Sequence, residues 1–260
     1  MIERRRAPRS AAFFDLDRTL ISGSSAFVLG IAAWRGKLVP TRQFARDALS
    51  AISFALAGAD DDTSIGVRDR ILGAVKDVRI DDLVALNADI VPRLIDRVRP
   101  ESLRLIEQHR QAGRATYIVS ASPVELVEPL AQALGMTAGI GTRSRIVEGR
   151  YTGELEGPFC YAEGKVEAIT AIAQAEGFDL DRCWAYSDSA SDLPMLRAAG
   201  HPVAVNPDAR LAREAAIEGW PVVRFHRRTR AVMRRTSQGA VAVGLVAAGF
   251  ASGMRWARSH

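Results

Sequence analysis

The sequence predicts an α/β fold: a parallel sheet with helices on both faces and a helical insertion after its first strand. Two observations carry this. Short apolar runs at 11–14, 115–119, 183–186, 202–205 and 221–223 are separated, for the most part, by helical patterns. Such alternation builds parallel sheets flanked by helices. The interval 22–99 breaks the alternation and reads as helices throughout, so it stands as an insertion over the carboxyl edge of the sheet, where ligands of such folds bind.

Taken in order, the run 11–14 ends in Asp15-Leu16-Asp17-Arg18-Thr19-Leu20. Helical patterns over 27–33, 42–57, 65–75 and 80–98 fill the insertion, with Gly58-Ala59-Asp60-Asp61-Asp62 as a turn. Further helices are expected at 100–111, 124–134, 164–176, 192–199 and 209–217. Residues 145–152 carry a β-hairpin pattern around Glu148-Gly149.

Composition narrows the function classes. The 260 residues are 48% hydrophobic and 25% charged, an ordinary globular balance. Cys160 and Cys183 are the only cysteines, with no Cys-x-x-Cys and no histidine cluster, which argues against a disulfide scaffold or structural zinc and fits a reducing, cytoplasmic compartment. The net charge of +5 is unevenly placed. Residues 224–260 hold eight Arg and no acid, and residues 1–9 contribute +3, leaving −6 for 10–223. A nucleic-acid binder carries its positive stripe on the folded face, so no nucleic-acid partner is expected. Basic ends suit a phospholipid surface or a solvated tail. No secretory signal is expected, because the first arginines are not followed by an apolar stretch. Residues 239–254 are sixteen uncharged residues between arginines. They fall short of the ~20 needed to span a bilayer unaided; the alternatives are membrane association on the cytoplasmic face and a helix buried against the body.

The candidate chemistry starts at Asp15 and Asp17. Two carboxylates two residues apart on a strand point the same way. Their repulsion is relieved by a cation, and hard Mg²⁺ prefers oxygen ligands. Alone, the pair reads equally as a strand end followed by an Asx turn. Three later features fall at strand ends. Ser120 closes Tyr117-Ile118-Val119-Ser120, where a hydroxyl and free N–H groups cradle a phosphate; Ser122 before Pro123 also fits a helix N-cap. Lys165 opens a helix, against the macrodipole; charge neutralisation of a phosphoryl group would explain its placement, and a solvated lysine is the alternative. Asp188 and Asp192 lie at i and i+4 in a strand–helix loop, spaced to converge on one cation, or with Asp188 or Ser189 as an N-cap.

With these features in this order, residues 11–220 resemble the haloacid dehalogenase superfamily of phosphotransferases, in particular the phosphoserine phosphatase-like branch (subfamily IB) with a small helical C1-type cap. Asp15-x-Asp17-x-Thr19 is similar to its first motif, Ser120 to its second, Lys165 to its third, and Asp188 with Asp192 to its fourth. The hairpin at 147–153 is similar to the flap of that branch. The resemblance implies a Rossmann-like core at 11–21 and 100–223, a cap at 22–99 and a basic, apolar tail helix at 224–260. It implies Asp15 as nucleophile and Asp17 as general acid and base. Mg²⁺ would be held by the Asp15 carboxylate, the Asp17 carbonyl and Asp188, with Asp192 ligating or orienting its water. Thr19, Ser120 and Lys165 would bind the phosphoryl oxygens, Lys165 offsetting charge in the transition state.

The expected activity is Mg²⁺-dependent hydrolysis of a small organic or lipid-derived phosphate ester through an aspartyl-phosphate. Phosphoserine phosphatase is the alternative. In those enzymes an acid nine positions after the nucleophile helps hold the serine amino group; here that position is Ser24, next to Ser25, both taken as substrate-facing. Ser187 and Ser191 also replace the usual Gly and Asn of the fourth motif. A receiver-like module holding phosphate without turnover fits less well, because Asp17 supplies a water-activating base. A membrane-tethered interaction protein has no need to crowd four carboxylates. Oligomeric state is not legible.

Overall fold

The computed structural model describes residues 10–38, 72–73 and 76–225. A six-stranded sheet, all parallel, has the order β3-β2-β1-β6-β7-β8. Its strands are β1 (Ala11–Asp15), β2 (Ala115–Pro123), β3 (Ala138–Thr142), β6 (Trp184–Ser187), β7 (His201–Val205) and β8 (Val222–Val223). The helices are α1 (Ser25–Arg35), α2 (Ile80–Ala85), α3 (Asn87–Ile95), α4 (Pro100–Gln111), α5 (Val124–Ala133), α6 (Glu163–Glu176), α7 (Leu193–Ala198) and α8 (Ala209–Ile217). This is the predicted Rossmann-like α/β architecture.

β1 is buried along its whole length and sits between β2 and β6. Both faces are covered, which is why the strand reads as an unbroken apolar run. Phe13 stacks on Tyr117 at 5.6 Å and Phe14 on Tyr186 at 4.5 Å. The register pairs Asp15 with Val119 and Phe14 with Tyr186, so the carboxyl ends of β1, β2 and β6 finish side by side. The chain steps one way from β1 to β2 and β3, and the other way from β6 to β7 and β8. A crevice opens at that switch point.

The expected strands are met, with one addition. β3 (Ala-Gly-Ile-Gly-Thr) was not anticipated, because its two glycines dilute the apolar signal. The glycines are needed for packing: a Cβ on Gly139 would run into the Val127 carbonyl oxygen, and one on Gly141 would lie 2.7 Å from the Val124 backbone. Helix α5 therefore rests directly on the strand.

Within 22–99, the helix at 27–33 is present as α1, while the pattern at 42–57 and most of that at 65–75 lie outside the described residues. The single helix expected at 80–98 is two, α2 and α3, joined at Leu86. There the backbone tightens to i→i−3 bonds, Leu86 N–H to the Leu83 carbonyl and Asp89 N–H to that of Leu86. The Asn87 side chain turns away to donate to the Glu125 carbonyl at 2.7 Å. α3 packs on α1 and on α5. The two ends of the segment meet: Ser22 N–H donates to the Arg97 carbonyl and Arg99 N–H to that of Leu20.

The predicted hairpin is β4 (Ser144–Val147) and β5 (Arg150–Leu155), turned by Glu148 (φ 49°) and Gly149 (φ 73°). Both turn residues are left-handed, as a type I′ turn requires. Tyr151 exchanges backbone bonds with Asp77 and Val78, so the hairpin is stitched to the segment before α2.

Candidate active site

Asp15 ends β1 with its side chain in the crevice and accepts from Lys165 Nζ at 2.6 Å. The same ammonium donates to Asp192 Oδ2 at 2.8 Å. Lys165 is 3% exposed, so its charge is buried between the two carboxylates, which take two of its three N–H donors. The helix that carries it starts under constraint. Gly164 faces the Phe159 carbonyl with no room for a side chain, and Ala162, before it, holds φ 48° and ψ −118°. A lysine at a helix N-terminus is thus explained by its partners.

Asp192 Oδ2 also accepts from Ser187 Oγ at 2.7 Å. Asp188 receives the Arg18 guanidinium at 2.9 Å on Oδ2, and Thr19 Oγ1 reaches its Oδ1 at 3.4 Å. Arg18, 63% exposed and left-handed at φ 60°, forms the rim of the site. Asp188 is not an N-cap; Ser189 caps the short 3₁₀ turn Ala190–Asp192 instead. Asp17 stands apart from the lysine: its Oδ1 accepts from the Ser25 backbone N–H at 2.7 Å. Ser120 is buried, and its hydroxyl accepts from the Ser122 N–H at 3.2 Å.

The serines expected to face substrate have protein partners. Ser24 Oγ caps α1 by accepting from Phe27 N–H at 3.4 Å. Ser25 is fully buried, and its hydroxyl bonds that of Ser122 at 2.8 Å. Three supports of the site were not anticipated as such: Ser187, Ser122 and Asp208. Asp208 accepts from the Ala190 and Leu211 N–H groups and its own N–H donates to the Asp188 carbonyl. The N-cap signal of Asp208 before a helical pattern was available; its second role as a brace for the Asp188 loop had no local signature.

The electrostatics follow from burial. Desolvation raises the Asp15 carboxyl to about 7, against Lys165 and with help from Asp192 and Asp188. Burial likewise lifts Asp188 to about 6, opposed by Arg18. Asp17 is raised by burial and pulled back by Ser25. For Lys165, burial disfavours the charge, but Asp15 and Asp192 outweigh it and hold the ammonium above its ordinary range.

The donors suit a hard divalent ion. Asp15 and Asp188 are buried oxygen ligands whose charge is costly where they sit. Among the described residues no three acidic, histidine or cysteine side chains converge to hold an ion by themselves. A cation held here would have to draw on backbone oxygen and water as well, which is the habit of Mg²⁺. Asp192, with Oδ2 given to Lys165 and Ser187, orients the lysine.

Comparison with known proteins shows the family. Residues 12–197 match the family model of the haloacid dehalogenase-like hydrolases. A Streptomyces azureus protein named for inhibition of morphological differentiation is 40% identical over 235 residues, covering 90% of this chain and 84% of its own. A Mycobacterium tuberculosis protein named phosphoserine phosphatase is 36% identical over 222 residues, covering 83% of this chain and 71% of its own. Among solved structures, a Bordetella pertussis protein of unknown function superposes with a TM-score of 0.73 at 26% identity, over 84% of this chain and 99% of that one. The chain belongs to the haloacid dehalogenase-like hydrolase family and is an enzyme of its phosphatase-like branch.

Proposed function

We propose that this chain hydrolyses a small organic or lipid-derived phosphomonoester through a phosphoryl group carried on Asp15, with Mg²⁺ as cofactor. The observation that carries the reading is the Lys165 bridge between Asp15 and Asp192. A buried ammonium on the nucleophile neutralises charge where phosphoryl oxygens arrive and lowers the repulsion between carboxylate and phosphate dianion.

In this reading Asp15 attacks phosphorus in line with the leaving alcohol. Asp17 lies beside it but off the lysine, free to give the alcohol its proton and then to take one from the hydrolytic water. Its raised carboxyl suits a group that must hold a proton at the start of the cycle. Thr19, Ser120 and Lys165 bind the phosphoryl oxygens. Asp15, the Asp17 carbonyl and Asp188 would hold Mg²⁺, which supplies Lewis-acid stabilisation of the transferring group. The segment 22–99 serves as a cap on a core of 11–21 and 100–223.

Phosphoserine hydrolysis is the second reading, favoured by the named Mycobacterium tuberculosis relative. Against it, Ser24 stands where an acid would meet the substrate amine, and its hydroxyl is used as a helix cap. The arginines flanking 239–254 support attachment to an anionic membrane face; that segment lies outside the described residues, among which no helix is long and apolar enough to cross a membrane.

The test is hydrolysis of 4-nitrophenyl phosphate and a panel of phosphorylated metabolites and lysophospholipids, with Mg²⁺ and with EDTA. Asp15→Asn abolishes turnover with the fold intact by circular dichroism; retained turnover overturns the assignment. Phosphoserine as the best substrate of the panel moves the second reading ahead.

A further inference from the structure

Asp17 is aimed by a residue from the far side of the cap junction. Ser25 is the first residue of α1, and the opening N–H groups of a helix have no partner inside it. The Ser25 N–H spends itself on Asp17 Oδ1 at 2.7 Å. The Ser25 hydroxyl, fully buried, reaches Ser122 Oγ in the loop after β2 at 2.8 Å. Ser122 in turn donates its N–H to Ser120 Oγ at 3.2 Å. A single file of hydrogen bonds thus runs from Asp17 through Ser25 and Ser122 to Ser120. Three of its members belong to the core loops and one to the cap. Each link is buried or partly buried, so water competes poorly for it.

We propose that Ser25 and Ser122 are a positioning pair that fixes the Asp17 carboxylate toward the leaving-group oxygen only when α1 is seated on the β2 loop. The proposal rests on the reading of Asp17 as general acid. It adds a reason for a serine at each position. The Ser25 amide holds the carboxylate, and the hydroxyl pair holds the amide by pinning the start of α1 to the loop that carries Ser120.

Two variants test the links. Ser25→Pro deletes both the N–H that reaches Asp17 and the hydroxyl that reaches Ser122, and proline is well suited to the first helical position. Ser24, at φ −117° and ψ 130°, already has the extended conformation a following proline demands. Ser122→Ala removes only the hydroxyl link. The readout is the leaving-group dependence of kcat/KM, which reports the steps up to departure of the alcohol, measured on 4-nitrophenyl phosphate and on phenyl phosphate, whose poorer leaving group leans harder on an acid. Asp17→Asn serves as reference.

Ser25→Pro is expected to lower kcat/KM on phenyl phosphate by about ten- to a hundredfold, a fraction of the full general-acid contribution. The loss on 4-nitrophenyl phosphate is about threefold or less. Ser122→Ala follows the same pattern more weakly. Equal losses on both substrates in Ser25→Pro and Ser122→Ala, while Asp17→Asn discriminates between them, overturn the pair and leave Asp17 as the acid. Equal losses in Asp17→Asn as well overturn the acid reading itself. If Ser25→Pro does not fold, Ser122→Ala decides alone, and an unchanged substrate ratio there rejects the proposal.

Discussion

Lys165→Met removes the one buried cation that the described residues place between Asp15 and Asp192, and its cost can be worked from the geometry. The ammonium lies 2.6 Å and 2.8 Å from the two carboxylates, with the lysine and Asp192 each 3% exposed. Breaking a buried pair by deleting one partner costs about 3–5 kcal/mol, because the remaining charge stays out of water. For a chain of this size that is a fall in Tm of about 6–20 °C. The deficit depends on pH in a defined direction. Burial already raises Asp15 from 3.8 to about 7, and Lys165 is the main influence holding it down. A carboxyl with a raised folded pKa is tolerated while protonated and destabilises as pH rises past the ordinary carboxylate range. The variant should therefore be closest to wild type at about pH 5 and furthest from it at about pH 8. Thermal melts of both proteins in EDTA at the two pH values make the comparison. An equal deficit at both, or none, would refute the claim that the lysine neutralises buried carboxylates.

Other expectations follow from single features. Ala162 holds φ 48° and ψ −118°, a strained backbone for any residue with a side chain. Ala162→Gly should raise stability by about 1 kcal/mol, the relief of strain exceeding the extra freedom of glycine in the unfolded chain; a lower Tm rejects this. Gly139→Ala should destabilise by about 1–3 kcal/mol or more, since the new Cβ meets the α5 backbone, and a denaturant midpoint equal to wild type would contradict the packing. His109 is buried against Tyr186 and Trp184, and burial, with Arg114 adding to it, lowers its pKa to about 4. Its folded pKa is depressed, so stability is lost as pH falls from about 6.5 toward 4. His109→Gln keeps a bond to the Tyr186 hydroxyl and should flatten that acid-side loss. An unaltered acid limb would place the sensitivity elsewhere.

The parts of this molecule that speak through local sequence were readable in advance. β1, β2, β6 and β7 are apolar runs because they sit in a covered parallel sheet. Asp15, Ser120, Lys165 and Asp188 are legible for the same reason, each following or starting an element at the carboxyl edge. β3 escaped because its glycines answer to α5, a partner remote in the local pattern. The joint at Leu86 escaped because the sequence there stays helical in pattern, while a tertiary bond from Asn87 to the Glu125 carbonyl marks the break. Ser122, Ser187 and Ser25 look like caps or turn residues, as loop serines do. Only the fold brings the hydroxyl of Ser122 to Ser25 and that of Ser187 to Asp192. Lys165 stands out because its charge opposes the helix end it occupies, but a solvated lysine fits the local sequence as well, and only the fold brings it to Asp15 and Asp192.

The central claim is that phosphorus is transferred to Asp15. Its most direct measurement is acid quenching of the Asp17→Asn enzyme during turnover of an aryl phosphate in Mg²⁺, followed by peptide mapping by mass spectrometry. Loss of the base slows breakdown of the acyl phosphate, so a phosphoryl group should accumulate on the peptide that contains Asp15. It should be absent when Asp15 is also replaced by Asn. A phosphoryl group on another residue, or turnover with no phosphoenzyme and an intact rate in Asp15→Asn, would contradict the account.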